Sequence, residues 1–149
     1  MILSDARELA HKLMNEHGLE FWNFEFDNAM RRFGSCRFTT KRITLSQFLV
    51  LLNNEEKVKD TILHEIAHAL VGSGNGHNMV WKRKAIEIGC TGERCYTQDD
   101  TNIVKGNFEA ICPKCGHVHT KFRMPKNKRS CGKCAKVFDE ERILLFVRA

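Results

Sequence analysis

Five consecutive residues, His64-Glu65-Ile66-Ala67-His68, carry the densest chemistry in this 149-residue chain. On an α-helix, at about 100° per residue, His68 lies about 40° around the axis from His64 and one turn along it. Both imidazoles can then grip one metal ion from the same face. Glu65 falls about 100° from His64 and about 60° from His68, beside such an ion without being forced to ligate it. A carboxylate there can take a proton from water activated at the metal and pass it to a leaving amine. Zinc suits this arrangement, because it binds neutral imidazole and catalytic sites leave it an open fourth position. A third ligand is needed. His77 follows Gly72-Ser73-Gly74-Asn75-Gly76, whose three glycines let the chain reverse sharply and bring His77 back over the metal. A downstream carboxylate, Glu87 or Glu93, competes for the role. Glu87 lies in a lysine-rich helix, where it reads more simply as an exposed, ion-paired residue.

A second constellation lies near the C-terminus. Cys112-Pro113-Lys114-Cys115 and Cys131-Gly132-Lys133-Cys134 are two C-x-x-C knuckles separated by fifteen residues. Each offers two sulfurs to one side of a tetrahedron, the pattern of a four-cysteine structural zinc. Two zinc ions per chain are therefore expected, one catalytic and one structural. His117 and His119 could substitute as ligands, but four cysteines complete the set and the two histidines read as exposed strand residues. Residues 1–8 lack the basic region and apolar stretch of a secretory signal. The longest apolar runs, residues 48–52 and 143–147, are too short to span a bilayer. These features point to a cytoplasmic protein with no membrane partner, in a compartment where cysteines serve as metal ligands and not as a disulfide framework. Cys36, Cys90 and Cys95 then read as small buried hydrophobes.

The net charge of +6 is unevenly distributed. Residues 1–104 carry a net of −1, whereas residues 105–149 carry +7. A basic module beside a near-neutral one suggests a polyanion held by the tail. Lys126, Lys128 and Arg129 form a basic hairpin loop after a strand read over residues 118–123, which adds Lys121 and Arg123. With Phe122 nearby, this surface could track phosphates and stack a base, making DNA the expected partner and a nucleoid association the expected location.

The elements that must position these groups can be read from periodicity. Ser4 can cap a first helix, with Ala6, Leu9, Ala10, Leu13 and Met14 at helical spacing and Gly18 as its stop. Trp22, Phe24 and Phe26 alternate with polar residues as in a half-buried strand. Residues 36–39 and 42–45 predict a hairpin turning near Thr40 and Lys41, and residues 48–52 a buried helical turn or two. Asn53 followed by Glu56 has the form of a capping box and opens a helix over residues 54–71. Another amphipathic helix is expected over residues 77–88. A polar connector, residues 97–102, marks the domain boundary, with Tyr96 packed at the junction.

In order along the chain, Arg32-Phe33-Gly34-Ser35-Cys36, Ile43-Thr44-Leu45-Ser46, His64 to Leu70, and Gly76-His77 with Trp81-Lys82 resemble the SprT-like family, which includes Spartan-type proteases acting on DNA–protein crosslinks. The likeness covers about residues 1–140 and suggests a short prokaryotic or phage-type member. It implies an α+β fold: a minimal zincin-like metalloprotease domain, helices around a small sheet, over residues 1–104, then a small β zinc ribbon over residues 105–149. It implies His64, His68 and His77 as zinc ligands and Glu65 as catalytic base in a protease of DNA-associated proteins. The family often has glycine where this chain has Asn78, so the local loop shape departs from the pattern. Two other readings stand beside it. One is a zinc-ribbon nucleic-acid-binding protein without turnover, against which Glu65 argues. The other is a metal-dependent hydrolase of a non-peptide substrate.

Overall fold

The computed structural model describes residues 1–94 and 102–149. Cys95, Tyr96 and most of the expected connector lie outside the described residues. The chain divides into two compact units, Met1–Val104 and Lys105–Ala149. The α+β class expected from the sequence is the one observed, with a separate small sheet in each unit.

The first unit begins with helix α1 (Leu3–Glu16), which buries Ala6, Ala10, Leu13 and Met14. Its N-cap is Ile2, not Ser4, and no side chain caps it. Ile2 is already extended and its carbonyl accepts from the Ala6 amide, so Ser4 is carried into the first turn. Three strands follow: β1 (Asn23–Asp27), β2 (Gly34–Arg37) and β3 (Arg42–Ser46). β3 is central, parallel to β1 and antiparallel to β2. β2 begins two residues earlier than the sequence suggested, because Gly34 pairs with Leu45. Being central, β3 buries Ile43, Thr44, Leu45 and Ser46. The buried hydroxyls are satisfied: Thr44 donates to Asp27 at 2.8 Å, and Ser46 donates to the Ala29 carbonyl at 2.6 Å. Ser46 also caps helix α2 (Gln47–Leu52) by accepting from the Leu49 amide.

Helix α3 (Glu55–Val71) is the long helix that carries the H-E-x-x-H residues. Its cap is Asn54, which accepts from the Lys57 amide, and not Asn53. Asn53 is engaged elsewhere. Its side chain donates to the Leu49 and Asn102 carbonyls and accepts from the Asn102 amide, tying Asn102 to the end of α2. Val58, Ile62, Leu63 and Ile66 fix one face of α3 in the core. Gly72, Gly74 and Gly76 all adopt positive φ in the loop that follows, a conformation costly for other residues. Helix α4 (Met79–Glu87) starts two residues later than expected, because Asn78 caps it by accepting from the Trp81 amide. The asparagine that departs from the family pattern is therefore the α4 cap, and it leaves His77 outside helical geometry.

The second unit is a three-stranded sheet of β4 (Phe108–Ile111), β5 (Val118–Lys121) and β6 (Val147–Arg148), in the order β5-β4-β6 and all antiparallel. β5 ends at Lys121, two residues before the expected Arg123. Its core is four buried residues, Ala110, Cys112, Cys131 and Leu144, with Phe146 packed against them. Among the described residues, no helix is long and apolar enough to cross a membrane.

Candidate metal centre and active site

His64 and His68 stand one turn apart on α3, and the glycine loop returns His77 to them. The Nε2 atoms of His64 and His77 are 3.0 Å apart, and those of His68 and His77 are 3.1 Å apart. All three rings offer nitrogens within 4.8 Å of one another. Burial pushes His64 down to about 4, helped by the neighbouring His68 and His77. Burial also pushes His68 to about 4, with His77 adding to it. His77 is lowered by burial and by Arg94. The rings are thus neutral at physiological pH, each with a lone pair available, which is the state a zinc ligand requires. Their chemistry and convergence fit one zinc ion. Glu87 is exposed and paired with Lys84 at 3.0 Å, and neither it nor Glu93 joins the group. The Glu93 backbone instead hydrogen-bonds to His64.

Beside the triad lies an open cleft of about 680 Å³, lined by β2, α3 and the glycine loop. Glu65 faces it while remaining only 7 % exposed, and burial pushes its carboxyl up to about 8, with Arg32 pulling the other way. Two features hold this environment. Gly34 on β2 sits so close to Glu65 that a Cβ there would lie 3.0 Å from its Cγ and Oε1 and 3.1 Å from the Thr44 carbonyl oxygen. Arg32 is tethered by Asp27 at 2.8 Å, and the same Asp27 oxygen accepts from Thr44, whose hydroxyl meets that of Ser35. Burial alone would raise Asp27, but hydrogen bonds from the Ala29 amide, Thr44 and Arg32, with the Arg32 charge, leave it below the usual carboxylate range. Cys36, read from sequence as a buried hydrophobe, is only half-buried and lines the cleft; burial and the Glu65 charge push its thiol up to about 12. Cys90 is buried as expected.

In the second unit the four knuckle sulfurs lie within 4.8 Å of one another. Cys112 Sγ is 3.8 Å from Cys134 Sγ, and Cys115 Sγ is 3.7 Å from Cys131 Sγ. A Zn–S bond of about 2.3 Å implies a tetrahedral edge of about 3.8 Å, so the cluster fits one zinc ion. A four-residue core is also too small to hold such a unit by apolar burial alone, and a metal staple is the usual remedy. The Cys115 amide is the main influence drawing Cys112 down to about 6, toward the thiolate that binds metal. His119 is not a bystander: its Nε2 lies 3.2 Å from Cys131 Sγ. Lys121, Arg123, Lys126 and Arg129 gather around a surface pocket of about 330 Å³ with Met124, Pro125 and Asn127. Lys128 is not among the lining residues.

In the sequence Trp81 stands out only as part of a motif, and the structure gives it a distinct place. It is 1 % exposed and touches all three triad rings. A large aromatic on an amphipathic helix reads simply as core, so only the tertiary arrangement reveals this.

The SprT-like family model matches residues 5–103. Among solved structures, the crystal structure of the metallopeptidase zymogen of Methanocaldococcus jannaschii jannalysin is similar, with a TM-score of 0.49 and 20 % identity over 64 % of this chain and 85 % of that one. No curated protein matches the chain. The family match covers most of the first unit and about two thirds of the whole sequence, and on it the chain belongs to the SprT-like family.

Proposed function

We propose that this chain is a zinc-dependent metallopeptidase, with His64, His68 and His77 as zinc ligands and Glu65 as catalytic base. The observation that carries this reading is the convergence of three neutral imidazoles beside a buried carboxylate on one open cleft. Membership of the SprT-like family supports it. Bound zinc supplies Lewis acidity, which polarises a peptide carbonyl and makes water a usable nucleophile near neutral pH. The chain's own residues do the rest. Glu65 accepts the proton of the attacking water and returns it to the departing amine nitrogen. Gly34 lets β2 approach Glu65 closely, and Arg32, held by Asp27, favours its ionised form. The cleft of about 680 Å³ beside the triad leaves room for substrate.

The second part of the proposal concerns the tail. A second zinc ion on Cys112, Cys115, Cys131 and Cys134 closes the ribbon, and Lys121, Arg123, Lys126, Lys128 and Arg129 bind DNA, bringing the protease to DNA-bound or crosslinked proteins. The +7 charge of residues 105–149 and the cationic pocket support this. The test is cleavage of a DNA-binding protein with and without DNA, using the parent and a variant with Lys126, Lys128 and Arg129 neutralised. DNA should stimulate the parent only, and the variant should bind DNA more weakly with a shallower salt dependence, because phosphate contacts release counterions. A parent lacking salt-dependent DNA binding would remove DNA from the proposal and leave the peptidase reading standing.

A further inference from the structure

The zinc ligands come from elements of unequal rigidity. His64 and His68 belong to α3, but His77 lies in the segment between the glycine loop and the α4 cap, with no helical hydrogen bonds to fix it. Something must keep three rotatable rings aimed at one point. Trp81 stands four residues after His77, in the first turn of α4. Its ring centroid is 4.6 Å from that of His64 and 4.6 Å from that of His77, the latter edge-on at 89°. It stacks on His68 at 5.2 Å with an interplanar angle of 24°. The indole Nε1–H donates to the His64 backbone carbonyl at 3.3 Å, so the ring is tied to the helix that carries two of the ligands. Trp81 is also fully packed, with 1 % of its surface exposed, and cannot swing away without opening the core.

We propose that Trp81 is a positioning residue for the three-histidine site: a rigid platform on which all three imidazoles rest, holding their Nε2 atoms convergent before metal arrives. The proposal rests on the reading of His64, His68 and His77 as metal ligands. A preorganised donor set loses less rotamer freedom on binding, and residues that orient metal ligands typically change affinity 10–100-fold when removed. The indole contributes in two separable ways. Its flat surface limits the tilt of the rings, and its N–H anchors the platform to α3. Phenylalanine keeps most of the first and none of the second; leucine keeps neither.

The test is metal affinity of the full chain, with the ribbon cysteines left in their zinc form and the three-histidine site emptied by chelator and titrated with Zn²⁺ and, separately, Co²⁺. Trp81→Leu should remain folded by far-UV circular dichroism, bind zinc at the three-histidine site 10–100-fold more weakly, and give an altered Co²⁺ d–d spectrum because the donor geometry is relaxed. Trp81→Phe should recover most of the affinity and the parent spectrum. The second variant preserves the test if the leucine protein fails to fold. A folded Trp81→Leu with the zinc affinity and Co²⁺ spectrum of the parent, or, should the leucine protein not fold, a Trp81→Phe that has lost both, would overturn the proposal. Failure of the underlying metal reading looks different: a parent taking up no second metal equivalent, or one whose uptake is unchanged in His64→Ala/His68→Ala.

Discussion

Replacing Gly34 with alanine should damage turnover more than stability or metal binding. The added Cβ would lie 3.0 Å from Glu65 Cγ and Oε1 and 3.1 Å from the Thr44 carbonyl oxygen, so something must give by a few tenths of an ångström. Gly34 has no positive φ, so its own backbone accepts alanine and the effect is purely one of space. The Thr44 carbonyl belongs to the central strand, paired on both sides, and resists movement. Glu65 is the softer neighbour and its carboxylate should shift. A small overpacking of this kind costs about 1 kcal/mol in stability. The kinetic cost follows from geometry: a misplacement of about 1 Å at a reacting group can cost roughly a hundredfold, so a few tenths should cost roughly tenfold in kcat/KM. The assay is steady-state cleavage of an unfolded protein substrate by zinc-loaded parent and variant, with zinc content and thermal unfolding measured on the same samples. A folded, zinc-loaded Gly34→Ala with parental turnover would refute the idea that this contact positions Glu65. A loss of zinc in step with activity would place the damage in the imidazoles and not in the base.

Further expectations concern the charges around Glu65. Arg32→Gln removes the cation that favours the ionised carboxylate, so the Glu65 pKa should rise and the acid limb of the pH–kcat/KM profile should move to higher pH; an unmoved limb would show that Arg32 does not act on the base. Asp27→Asn should destabilise the fold by about 1 kcal/mol at neutral pH, since it weakens bonds from Thr44, Ala29 and Arg32 on a partly exposed group. Because Asp27 is held below its ordinary value, its stabilisation is present above that value and fades as pH falls through the native one. The gap between parent and variant melting temperatures should therefore narrow in acid, and a gap independent of pH would contradict this.

What could be read from the sequence was what is local or strictly periodic. The α3 stripe, the i,i+4 histidines and the two C-x-x-C knuckles all follow from spacing, and the structure brings each set together. Boundaries were less legible. Asn53 and Asn54 are equally good caps in sequence, and the choice is made by Asn102, far along the chain, which engages the first and leaves the second to α3. β2 begins at Gly34 because it pairs with Leu45, yet Gly34-Ser35-Cys36-Arg37 shows no alternation of apolar and polar residues. The roles of Gly34 and Trp81 were hidden for one reason. Each depends on a contact with a residue on another element, Glu65 for the first and the three imidazoles for the second, and neither leaves a periodic signature. Cys36 reads as a small buried hydrophobe by residue type alone, whereas its strand borders the cleft.

The most direct test of the central claim compares the parent with Glu65→Gln, which keeps the side-chain shape and removes the base. Both proteins are stripped at the three-histidine site, given one equivalent of zinc, and assayed for cleavage of an unfolded protein. Both should take up the metal equally; the parent should recover proteolysis and Glu65→Gln should fall at least about a hundredfold below it. Equal proteolysis by the two zinc-loaded proteins, or parental proteolysis that persists with the site emptied, would contradict the account.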